Sequence, residues 1–135
     1  MRYYKGVNLM DTVTKQYIET VQVSDIPWHR LTTTYGRATD FPAELDVLWN
    51  MESMEAVDAA GEALELNIEH QSTLWHATPF AMIFLLRIFK KAQEESAHNE
   101  VAQYLAEQLV KLFTVIAECI RDGLMQEHAD PLPNF

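Results

Sequence analysis

The chain has a single cysteine, Cys119, in 135 residues, so no disulfide can form within it. Its stability must come from packing, and a reducing compartment is the simplest reading. Glycine and proline are scarce, at four and five residues. That argues against an all-β sandwich, which needs many tight turns. The longest apolar run, Pro79 to Leu86, is closed by Arg87 and is too short to span a bilayer. The opening MRYYKGVNLMDT lacks the apolar stretch of a secretory signal. A cytoplasmic location, away from membranes, is the expectation. Most telling is the lack of any lysine or arginine in the 49 residues from Ala38 to Leu86.

Chemical signatures are missing as well. There is no G-x-S-x-G elbow and no glycine-rich phosphate loop. His29, His70, His76, His98 and His128 show neither H-E-x-x-H nor another zinc-like spacing. Cys119 lies on an apolar helix face, where a thiol is inert rather than nucleophilic. No catalytic residue, cofactor or metal site is expected. The net charge of −10 disfavours nucleic acid, whose phosphates select a basic face.

What is present is helical patterning, and it predicts an all-α domain over 1–135. Leu9, Val13, Tyr17 or Ile18, and Val21 recur at helical spacing, suggesting a helix from Met10 to Val23 in an N-terminal extension of 23 residues. The β-branched residues there leave a short hairpin as the alternative. DIPWHRLTTTYG reads as a short helix ending near Thr33, with Gly36 turning the chain and Trp28 and Leu31 facing the core. Thr39 or Asp40 is expected to cap a helix through Pro42 to Trp49, and Ser53 to cap the next.

From Met54 to Glu69 an apolar stripe (Met54, Val57, Ala60 or Gly61, Leu64, Ile68) lies beside an acidic one. TLWHA suggests a separate turn of helix before a kink at Pro79. Thr78 then caps a helix that is apolar on every side up to Arg87, as buried helices are. The last helix runs from Asn99 to Asp122, closed by Gly123, with an extended tail from 124 to 135. Five or six helices on such short links favour antiparallel helical hairpins.

The middle of the chain carries W-x-x-L-x-x-x-Y-G-x-A-x-D-x-P-x-x-L from Trp28 to Leu45. An acidic helix follows, and then I-x-H-Q-S-T-x-W-x-A-T-P-F from Ile68 to Phe80. Between Ile26 and Phe89 the chain thereby resembles bacterial HEAT-repeat-like proteins of the α-α superhelix type. Ser72 stands where many such proteins have glycine. The resemblance implies HEAT-like helical hairpins, a concave interaction surface and no chemistry of its own. Proteins of this kind often serve as immunity proteins beside secreted toxins.

Two sets of residues are candidate partner-binding sites. The first is the acidic stripe Glu55, Asp58, Glu62, Glu65 and Glu69, spaced three and four apart with no base to neutralise it. A solvated helix face accounts for it; so does a surface complementary to a basic partner, such as a toxin. A divalent-ion site fits less well, since no shaped oxygen-rich loop is visible. The second set is Tyr35, Asp40 and His70, with Gln71, on two loops that meet if the flanking helices pair. Caps and turns explain those residue types equally well.

The expectation is therefore a non-catalytic module that binds a basic protein, most simply an immunity or inhibitor protein. A scaffolding homodimer through the Leu105–Ile120 face is the alternative. An enzyme acting on a small molecule at Tyr35, Asp40 and His70 is the remaining one.

Overall fold

The computed structural model describes residues 12–70, 73–74 and 76–125. Five helices account for most of them. Helix α1 covers residues 12–20, α2 Phe41–Asn50, α3 Met54–Ile68, α4 Thr78–Glu95 and α5 Glu100–Met125. Between α1 and α2 lie two 3₁₀ turns, Val23–Asp25 and Trp28–Arg30, and a small hairpin of β1 (Thr32–Thr33) and β2 (Gly36–Arg37). A second hairpin, β3 (Glu69–His70) with β4 (Thr73–Leu74), separates α3 from α4. Both are antiparallel, with Thr33 opposite Gly36 and His70 opposite Thr73. The all-α expectation holds.

The helices form two hairpins, α2–α3 and α4–α5, laid side by side so that α3 packs on α5 and α2 on α4. Each of these four helices contributes to one core. Leu48 of α2, Val57, Leu64 and Ile68 of α3, Leu85 of α4 and Leu105 of α5 are its most deeply buried large side chains. Losing one such leucine to alanine typically costs about 2–5 kcal/mol. Trp28 closes one end of this core. Its ring sits 5.6 Å from Phe41 and 5.9 Å from Phe84, and its Nε1–H donates to the Val23 carbonyl at 2.8 Å. A buried indole is stable only when that one donor is matched. Trp28 and Leu31 thus face the core, as their spacing suggested.

Short links end and restart the helices. Met51 closes α2 in the left-handed conformation, φ 49° and ψ 43°. A side chain there costs about 1 kcal/mol or more. Burial of the methionine offsets it. Ser53 Oγ then accepts the Ala56 N–H at 3.1 Å, the expected cap of α3. Asn99 Oδ1 accepts from Val101 and Ala102 at 3.0 and 3.2 Å, which starts α5.

Several expectations need correction. DIPWHRLTTTYG is not one helix but 3₁₀ turns followed by β1 and β2. Long-range backbone bonds decide this: Thr34 N–H donates to Asn67 O, and Ala77 N–H to Thr32 O, both at 3.2 Å. Thr73 and Leu74 of TLWHA are strand rather than helix, paired with Glu69 and His70. Asp40 stands at the N-cap of α2 without bonding a backbone N–H, since it is itself helical at φ −88°. Thr78 likewise does not cap α4; its hydroxyl donates to Ile68 O at 3.0 Å and ties α4 to the end of α3.

Helix α4 is not buried all round, because Leu86 is half exposed on a face that no other helix covers. Gly123 lies inside α5 rather than after it. Glycine permits a left-handed stop but does not impose one, and its cost within a helix is only about 1 kcal/mol relative to alanine. In α1 a helix is found where expected, but it ends at Thr20 rather than Val23 and all nine residues are exposed, Val13, Tyr17 and Ile18 included. Leu9, at the start of that stripe, and the tail from 126 to 135 lie outside the described residues.

Candidate functional site

Helix α3 presents its acids to solvent. Glu55, Asp58, Glu62 and Glu65 are all exposed, on the side away from buried Val57, Ala60, Leu64 and Ile68. The spacing of three and four residues that made the stripe visible also fixes which acids align. Three of them do more than face water. Asp58, Glu62 and Glu65 line a groove of 310 Å³ between α3 and α5, whose apolar wall includes Leu64, Leu105 and Leu109. Glu55 stands one turn earlier and is not among its lining residues. Glu69 falls beyond the end of α3, in β3, so the stripe does not continue on the helix to its fifth member.

Helix α5 completes the groove with residues the sequence did not single out. Tyr104 donates its hydroxyl to Asp58 Oδ1 at 2.6 Å, across 46 positions of chain. That bond raises the Tyr104 pKa above its ordinary value, with desolvation and the negative charge of Asp58 adding to it. Gln108 lines the same groove. Gly61 sits at the centre of α3 and also lines it, and a Cβ built there meets no atom within 4 Å. The space beside Gly61 is open.

Among the described residues no lysine or arginine lines the groove. Among the described residues the ion pairs are Lys91–Glu95 and Arg121–Asp122, so the α3 acids have none. Two bases of α4 are used elsewhere. The Arg87 guanidinium lies 5.0 Å from the Phe84 ring and donates to the Ile18 carbonyl. Lys91 lies 4.4 Å from the Trp49 ring and donates to the Trp49 carbonyl.

The second set of candidates is partly assembled. Tyr35 and Asp40 line one small pocket of 200 Å³ with Thr33, Arg37, Phe41, Glu44 and Asn67. The β1–β2 hairpin meets the residues that flank the second hairpin, through the Thr34–Asn67 and Thr32–Ala77 backbone bonds and a 2.9 Å contact of Thr32 Oγ1 with His76 Nδ1. His76 is therefore the histidine seen at this junction, a half-buried residue at the edge of the core. The side chain of His70 and all of Gln71 lie outside the described residues. Glu44 was missed as a site residue because it reads as an ordinary acid in the first turn of a helix. Its pKa is raised by burial first and by neighbouring Asp40 second.

The face invoked for a dimer is largely spent within the chain: Leu105, Leu109, Leu112 and Ile116 are buried, and Ile120 is exposed. Among the described residues no group of three or more His, Cys, Asp or Glu is placed to hold a metal ion. None of the described helices is long and apolar enough to cross a membrane. No family model matches the chain, and neither a curated protein nor a solved structure does.

Proposed function

We propose that this protein is a non-catalytic binding module that engages a basic protein through the acidic face of α3, in the manner of an immunity or inhibitor protein. One observation carries the reading. Asp58, Glu62 and Glu65 rim an apolar groove that, among the described residues, no lysine or arginine lines. Carboxylates placed over apolar surface suit a lysine or arginine side chain, which buries its methylene stem and keeps its charge at the rim. Charge complementarity of this kind speeds encounter and selects against acidic partners. Gly61, kept at the centre of α3 against helix propensity, leaves room for such a side chain. The pairing of α2–α3 and α4–α5 supports a HEAT-like reading, since helical hairpins are the unit from which those arrays are stacked.

The test is capture from the source lysate, with wild-type bait beside the triple variant Asp58→Lys, Glu62→Lys and Glu65→Lys. The expected partner is basic, is held by the wild type at low salt, weakens as salt rises and is lost on the variant. A specific partner whose affinity ignores the triple change removes this reading.

A further inference from the structure

A second feature of the molecule is unrelated to the α3 groove. The pocket between the β1–β2 hairpin, the start of α2 and the end of α3 is small, polar and incompletely satisfied. Thr33 lines it and is only 4% exposed, and its hydroxyl meets no hydrogen-bond partner. Oε2 of Glu44, also in the lining, is buried without a partner, and so is Oγ1 of adjacent Thr34. Buried polar atoms are nearly always bonded, so two orphans in the lining of one cavity, with a third beside it, call for an explanation.

The carboxylate oxygen needs a donor, and the hydroxyls can accept from one as well. Glu44 offers a carboxylate oxygen and Asp40 a second carboxylate on the same wall. Asn67 donates one of its two amide N–H groups to the Ala63 carbonyl at 2.9 Å, and its Oδ1 is an acceptor. Arg37 does not neutralise the pair, because its Nη1 donates to the Arg30 carbonyl at 3.0 Å and no ion pair joins it to either acid. With one guanidinium against two carboxylates, the pocket favours a cation. Tyr35, 68% exposed, and Phe41 add aromatic rings to the lining, and flat cations stack on such rings. A lone ammonium is a compact point charge, whereas a guanidinium spreads five N–H donors over a plane.

We propose that this pocket binds a guanidinium group, held by Glu44, Asp40, Asn67 and the Thr33 hydroxyl. The group belongs either to a free small molecule or to an arginine side chain of another protein. The inference stands apart from the α3 groove and survives if that reading fails.

The test uses the full chain and titrates methylguanidinium, methylammonium and an arginine-containing peptide, followed by amide chemical shifts. Methylguanidinium is expected to move signals of β1, β2 and the start of α2 with saturation, and methylammonium to bind more weakly. Glu44→Gln and Asp40→Asn are each expected to weaken binding by about 10-fold or more, the size of a charged hydrogen bond. Thr33→Val also weakens it, while leaving the melting temperature unchanged or raised, because it removes an unsatisfied hydroxyl. The wild-type melting temperature rises with methylguanidinium, and that of Glu44→Gln does not. Tighter binding of the peptide than of methylguanidinium assigns the pocket to a protein ligand; equal binding assigns it to a small molecule. Absence of saturable shifts overturns the proposal. So does a Glu44→Gln variant that binds as well as wild type, or a melting temperature of Thr33→Val that falls because a water already satisfies the hydroxyl.

Discussion

The two flanks of the four-helix unit handle charge in opposite ways. On the α2–α4 flank an apolar pocket of 410 Å³ is lined by Trp49, Phe84, Ile88 and Arg87 among others. Arg87 lies over Phe84 and Lys91 over Trp49, and each donates to a main-chain carbonyl. The positive charges there serve the fold. On the α3–α5 flank the groove is of similar scale, but its charges are carboxylates without a basic counterpart among the described residues. Charge that is satisfied internally is structural, whereas charge left unmatched beside apolar surface is available to a partner. Net charge alone does not make this distinction; placement does.

The sharpest way to break the contrast is to reverse the acidic rim. Asp58→Lys, Glu62→Lys and Glu65→Lys together should weaken partner binding by about 10-fold or more for each close charge pair lost. Circular dichroism should remain that of the wild type, because all three side chains are exposed. Filling the groove is the next test. Gly61→Met should block binding while leaving the fold intact, as a Cβ there meets nothing within 4 Å. Gly61→Ala should raise stability by about 0.5–1 kcal/mol, read from urea denaturation.

On the other flank the effects should fall on stability alone. Lys91→Ala loses a cation–π contact and a hydrogen bond, about 1–2 kcal/mol in all, and should leave partner affinity unchanged. The smallest effect concerns pH. The Glu44 pKa is raised in the fold, so its protonated form is favoured there. The stability this contributes is present below the ordinary carboxylate range and is lost as pH rises through the raised value. Glu44→Gln should therefore gain on the wild type as pH climbs out of that range and hold the gain above it, in melting temperatures taken from pH 3 to 8.

The contrast between the flanks was half legible in the sequence. The absence of bases from Ala38 to Leu86 and the spacing of the α3 acids are local facts, and a helix converts them directly into a face. The cap at Ser53 and the start of α5 at Asn99 were legible for the same reason, since each side chain bonds residues two or three positions on. The hairpins were not. A two-residue strand has no periodicity to detect, and β1 is fixed in part by bonds to Asn67 and Ala77, more than thirty residues away. Nor was the α5 wall of the groove. Nothing near Tyr104 in sequence points to Asp58, and only the packing of α3 on α5 brings them together. The spacing in α1 gave the helix but not its burial, because periodicity reports an apolar face and not whether anything covers it.

That exposed helix has a consequence for how the molecule opens. Residues 12–20 bury no side chain, and Arg87 ties them to α4 through the Ile18 carbonyl. Backbone amides held so lightly exchange with solvent by local fraying, whereas those around Leu48, Leu64 and Leu85 exchange only when the whole domain unfolds. Deuterium uptake should thus divide the described chain near Val21, the first buried residue after α1. Brief trypsin treatment should cut at Lys15 while the four-helix unit stays intact.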